Sequence, residues 1–198
     1  MALVGASALA ASSAGAQVAL QLGVVASTAL VRDSFVEAFP VRANPALVAG
    51  LSAEAHVDRY RVGVSLNVSR SDLMRRESIG TSPVTRLTIW HPAVYLRQPL
   101  RPWLSGEARL GLVIYDPSVR SGTLFRNGAP VQPALGVGLR VERRVGRGVA
   151  VGIAGQYDLH RFSTPALRTE GFTGDTFVHR VTFSLGVRRV PADERAPR

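Results

Sequence analysis

The chain has 198 residues, enough for one domain, and 46% of them are hydrophobic. It contains no cysteine, which excludes a disulfide framework, a thiolate metal site and a cysteine nucleophile. The formal net charge is +10, but the basic residues are all arginines scattered along the chain without a nucleic-acid motif, so no nucleic-acid partner is expected.

Residues 1–16 read MALVGASALAASSAGA, a small, apolar, uncharged run. Ala14-Gly15-Ala16 before Gln17 has the form of a signal-peptidase site, so 1–16 is expected to be an export signal, truncated at its start because the positive opening region is missing. The rival reading of this segment is a buried N-terminal helix. No later run of eighteen apolar residues exists, which argues against a helical membrane span.

From Val18 onward the hydrophobic period is two, the period of strands. Leu20, Leu22 and Val24 mark a first strand; Leu47, Ala49, Leu51, Ala53, Ala55 and Val57 mark a second. The third, Tyr60 to Ser69, alternates without a break: Tyr60, Val62, Val64, Leu66 and Val68 on one face, Arg61, Gly63, Ser65, Asn67 and Ser69 on the other. Only Asp58-Arg59 separates Val57 from Tyr60, and a two-residue hairpin pairs its flanking residues on one face, so this register is self-consistent. Leu87 and Ile89, then Val94 and Leu96, mark a fourth strand; Leu104, Ala108, Leu110, Leu112 and Ile114 a fifth. Leu135 to Val141 gives a sixth, Val149 to Leu159 a seventh, and Val181, Phe183, Leu185 and Val187 an eighth. Pro92 predicts a bulge after Trp90-His91, and Pro133 is expected above the membrane.

About eight strands of roughly ten residues match the smallest transmembrane barrels. The connections alternate in length. Asp58-Arg59, Gln98 to Arg101 and Val145-Gly146 are short; Arg32 to Asn44, Arg70 to Val84, Asp116 to Pro130 and Arg161 to Asp175 are long. Short turns at one end and long loops at the other are the asymmetry of an outer-membrane barrel. The expected fold is therefore all-β: an eight-stranded antiparallel up-and-down transmembrane barrel over 17–190, with a tail at 191–198.

Alternation alone would also fit a soluble, lipocalin-like barrel with its apolar face inward. The polar face favours the membrane reading, being mostly Gly and Ser with a few large charges, as a narrow lumen requires. Those charges are Glu54, Arg61, Glu107, Arg109, Arg140, Glu142, Asp158, Arg180 and Arg188, expected to form an internal ion-pair network that plugs the lumen. The rival is a polar, porin-like channel lining. Tyr60, Tyr95 and Trp103, and at the other end Phe162, Phe172 and Phe177, are the candidate interfacial aromatics.

These features resemble the small bacterial outer-membrane β-barrel superfamily, that is, the OmpA transmembrane domain and OmpX-like proteins. The resemblance covers Val18 to Val190 and rests on signal, strand count and loop asymmetry. Val181, Phe183, Leu185 and Val187 resemble the closing strand that the outer-membrane assembly machinery reads. The resemblance implies a non-catalytic monomer in the outer membrane of a Gram-negative-type bacterium, with lipid and lipopolysaccharide as partners and no cofactor or metal. Arg70, Arg75, Arg76, Arg86, Arg120, Arg126, Arg161 and Arg168 lie in or beside the long loops and suit bidentate contact with lipopolysaccharide phosphates; the rival is a solvated loop surface. Some small barrels deacylate lipid A, and His160, Ser163 and Asp175 could form a Ser-His-acid set, although His160-Arg161-Phe162-Ser163 departs from the H-x-S spacing of that group. Of the four histidines, His160 is expected to point inward and His179 outward, with His56 and His91 as ordinary polar residues.

Overall fold

The structure is a computed structural model, and it describes residues 17–31, 41–77, 79–119, 124–125, 129–146, 148–164 and 176–189. Nine strands follow in chain order: β1 (Gln17–Ser27), β2 (Val41–Ala43), β3 (Ala46–Val57), β4 (Tyr60–Arg76), β5 (Thr81–Arg101), β6 (Leu104–Pro117), β7 (Val131–Arg144), β8 (Val149–Phe162) and β9 (Thr176–Arg189). All pairings are antiparallel. Each long strand pairs with its neighbours in sequence, β1 pairs with β9, and eight strands close into a ring.

The ninth, β2, is a short strip pairing with β4 through Val41↔Arg75 to Ala43↔Leu73, beyond the end of β3. It continues the line of β3 across Asn44-Pro45. The Asn44 N–H donates to the Asp72 carbonyl at 3.0 Å, and the Ser71 hydroxyl donates to the Asn44 carbonyl at 2.6 Å, which holds this interruption against β4.

The Val57↔Tyr60 hairpin forms in the expected register, with Asp58 at φ 52°, a value that aspartate tolerates in tight turns. Two connections and one expected bulge differ from what the sequence predicts. The β5–β6 turn is Pro102-Trp103, because β5 runs on through Gln98–Arg101. Arg70 to Val84 is mostly strand: β4 and β5 stay paired up to Arg76↔Thr81 and project as a tall hairpin. Pro92 makes no bulge. The β5–β6 register is the same at Trp90↔Ile114 and at Ala93↔Gly111, and the ladder omits 91 and 92 on that side, where the missing proline donor is tolerated. Pro133 lies one residue beyond the last β7–β8 pair, Ala134↔His160.

Alternation in the strands sets the two faces. On β1 and β9, Leu20, Leu22, Val24, Phe183, Leu185 and Val187 face outward and are exposed, and the same holds for Leu110, Leu135, Leu139 and Ile153 on β6 to β8. Inward positions are buried and polar at the short-turn end. At the long-loop end the inward face turns apolar. Leu73, Leu87, Ile89, Val113, Tyr115, Ala134, Phe162 and Val178 form a buried cluster, joined by Leu30 and Val31 beyond β1 and by Phe125 from the β6–β7 connection. The lumen thus has two storeys, charged below and apolar above. This corrects the placement of Leu87 and Ile89 on the outward face.

Inward glycines make room for large inward partners. A Cβ on Gly63 would run into the Tyr95 ring, and one on Gly136 into the Asp158 carboxylate. Gly63→Val is therefore expected to lower stability by about 1–3 kcal/mol through overpacking. A Cβ on Gly106 would meet only Leu100 at 3.5 Å, an ordinary contact, so Gly106→Ala should leave stability unchanged. Urea unfolding in lipid vesicles would compare the two.

Candidate functional site: a charged lumen inside an apolar wall

The lower storey joins neighbouring strands and also strands that do not neighbour one another in the ring. Glu54 on β3 is its hub. It accepts hydrogen bonds from Arg97 on β5, from Arg61 on β4 at 3.3 Å and from the Tyr95 hydroxyl at 3.0 Å, and Arg188 on β9 lies 3.5 Å away. Arg97 also donates to Glu107 at 3.0 Å and 3.2 Å. Arg109 pairs with Glu107 at 3.4 Å and reaches Asp158 on β8 at 3.9 Å. Glu142 on β7 takes Arg140 at 3.3 Å, Arg188 at 3.0 Å and Arg61 at 3.8 Å.

Eight of the nine lumen charges named from the sequence are thus linked by ion pairs. Arg180 is the exception. It is buried, donates to Ser69 across the lumen at 3.1 Å, and has no carboxylate within ion-pair distance among the described residues. Glu107 is held by Arg97 and Arg109, while Arg140 turns to Glu142.

Several participants were not assigned to the network from the sequence. Arg97, 2% exposed, is as central as Glu54. Tyr95 is buried against Glu54 and carries Arg97 over its ring at 5.0 Å, so it is not an interfacial aromatic. His91 lies 3.8 Å from Asp158. At the boundary of the two storeys Tyr115 and His160 share a 2.6 Å hydrogen bond. The signal for Tyr95 and Arg97 was available: Val94 and Leu96 face outward, so their neighbours must face inward.

Other named residues fall as follows. His179 faces outward and bonds the Tyr157 hydroxyl at 2.6 Å. Phe162 is buried in the apolar storey, not at the interface, whereas Trp103 and Phe177 are exposed. Arg70, Arg75, Arg76 and Arg86 all stand exposed on the β4–β5 hairpin, with Arg86 paired to Asp72 at 2.9 Å. Arg161 is exposed at the end of β8, on the far side of β6 and β7 from that hairpin. Arg120, Arg126, Arg168, Phe172, Asp175, the 1–16 segment and the 191–198 tail lie outside the described residues. Ser163 accepts a hydrogen bond at its backbone carbonyl from Gln132 at 2.7 Å, and His160 is enclosed in the lumen with Tyr115.

Around the charged storey this arrangement is a water-soluble protein turned inside out. A continuous exposed belt of Leu, Val, Ile and Phe would be unstable in water and is at home in lipid. Backbone donors and acceptors are satisfied by ring closure, which a bilayer demands. Fold and surface together define a small transmembrane β-barrel of the outer-membrane type. Two solved structures share the fold. Neisserial surface protein A aligns with a TM-score of 0.57 at 15% identity, over 88% of this chain and 96% of that one. The outer membrane protein OprG of Pseudomonas aeruginosa aligns with a TM-score of 0.58 at 11% identity, over 88% and 95%. No protein-family model and no curated protein matches the chain.

Proposed function

We propose that this chain is a non-catalytic barrel of the outer membrane of a Gram-negative-type bacterium. In this reading 1–16 is its export signal and the lumen is closed to solutes. The observation that carries the reading is the inverted surface: exposed aliphatic residues around the wall, and ion pairs together with an apolar storey inside. The assembly machinery would engage β9, and the barrel would act as a monomer. Its working surface in this reading is the long-loop end, where Arg70, Arg75, Arg76 and Arg86 share one projecting hairpin that would contact lipopolysaccharide phosphates.

Expression of the full sequence tests the placement: the protein should fractionate with outer membranes and shift its gel mobility on heating, whereas a soluble periplasmic species would reject the reading. The hairpin has its own test. Replacing its four arginines by glutamine should weaken lipopolysaccharide binding about tenfold or more, the scale of losing a charge-assisted hydrogen bond. Unchanged binding would remove lipopolysaccharide from the proposal while leaving the barrel in place.

A further inference from the structure

The short-turn mouth of the barrel has features that the long-loop reading does not use. A cavity of about 50 Å³ opens there, between the β5–β6 turn and the charged storey. Arg61, Arg97, Arg101, Ser105, Trp103 and Glu142 line it. Arg97 is buried and already held by two glutamates, so it forms a fixed floor. Glu142, the single carboxylate in the lining, is engaged by Arg140 and Arg188.

Arg101 is different. It is exposed, and it has no ion-pair partner among the described residues. The Ser105 hydroxyl likewise has no hydrogen-bond partner there. Around this cavity Arg61, Arg97, Arg101, Arg140 and Arg188 face Glu54, Glu107 and Glu142, five positive charges against three negative ones. Outside the mouth, Arg59, Arg143, Arg144 and Arg189 are exposed at the same end, with Asp58 the one exposed carboxylate among the described residues there. Trp103, 55% exposed, and the half-exposed Leu100 stand beside the opening, as residues do where water meets acyl chain.

We propose that this mouth binds a phosphate-type oxyanion, with Arg101 and Ser105 as its free donors and Arg61 and Arg97 as its electrostatic floor. The chemistry is that of an anionic glycerophospholipid headgroup in the leaflet at the short-turn end, or of free phosphate. The local excess of positive charge attracts such a group, and the guanidinium fork matches its geometry. The tryptophan wall admits the apolar part of a lipid.

The test is native mass spectrometry of the full chain in detergent, with dihexanoyl-phosphatidylglycerol or dihexanoyl-phosphatidylcholine added. The wild type should retain phosphatidylglycerol in preference to phosphatidylcholine. R101Q and S105A alter half-exposed or exposed positions, and their heat-shifted gel mobility verifies folding. R101Q should lower phosphatidylglycerol occupancy about tenfold, the effect of one lost charged hydrogen bond. Inorganic phosphate that displaces the lipid identifies the phosphate group as sufficient. Preference that survives added phosphate identifies the lipid as the ligand. Equal retention of the two lipids by the wild type, or unchanged phosphatidylglycerol retention by folded R101Q, overturns the proposal.

Discussion

Glu54→Gln is expected to cost the folded barrel about 3–5 kcal/mol, the loss typical of removing one partner from a buried ion pair. The side chain keeps its size and one carbonyl oxygen, so packing is preserved and only the charge is lost. What is left is unfavourable. Arg97 keeps Glu107, and Arg61 and Arg188 keep Glu142, but all three lose the carboxylate they share. The six arginines of the lumen, Arg61, Arg97, Arg109, Arg140, Arg180 and Arg188, already outnumber Glu54, Glu107, Glu142 and Asp158 by two. The substitution raises that excess to three positive charges in a poorly hydrated space. Urea unfolding in vesicles, followed by fluorescence of Trp90 and Trp103, measures the change. Combining Glu54→Gln with Arg97→Met should recover part of the loss, because charge is then removed from both sides, and the cycle gives the coupling directly. A cost below about 1 kcal/mol, the range of a solvent-exposed pair, would mean that the lumen is wet and the network screened.

Most of the fold was legible because the barrel wall follows one rule through its short-turn half: apolar outward, small or charged inward. Tyr60 to Ser69 obeys it without exception, and the structure pairs that strand as the hairpin required. Reading failed where the rule stopped separating the faces. In the long-loop half the inward residues Leu87 and Ile89 are as apolar as the outward ones, so hydrophobicity carried no direction there. The true register runs unbroken from Leu87 through His91, Tyr95 and Arg97 on the inward face. Treating that stretch as slipped hid Tyr95 and Arg97 from the network. Charge types were visible in the sequence, but partners were not. Arg97–Glu54 and Arg188–Glu142 join strands that are not neighbours, and such pairs depend on the stagger of the closed ring, which a linear pattern does not encode.

Leu185→Arg should destabilise the barrel by about 2–4 kcal/mol in a bilayer, the cost of arginine on a lipid-facing wall near the midplane. Leu185 pairs with Leu22, the central residue of β1, and both are more than 60% exposed. In a water-soluble barrel the same exposure would predict the opposite sign, since replacing a solvated leucine by arginine removes apolar surface from water. Position along the strand adds a second contrast. Phe177, equally exposed but near the long-loop end of β9, should accept arginine at about 0–1 kcal/mol, because a side chain there reaches the interface. The two substitutions lie on the same strand and the same face, so strand propensity largely cancels; the neighbours differ, Ile153 and Leu22 beside Leu185 and Arg161 opposite Phe177. A difference between them reports depth in a membrane, and equal costs at both positions would be incompatible with a wall that spans one.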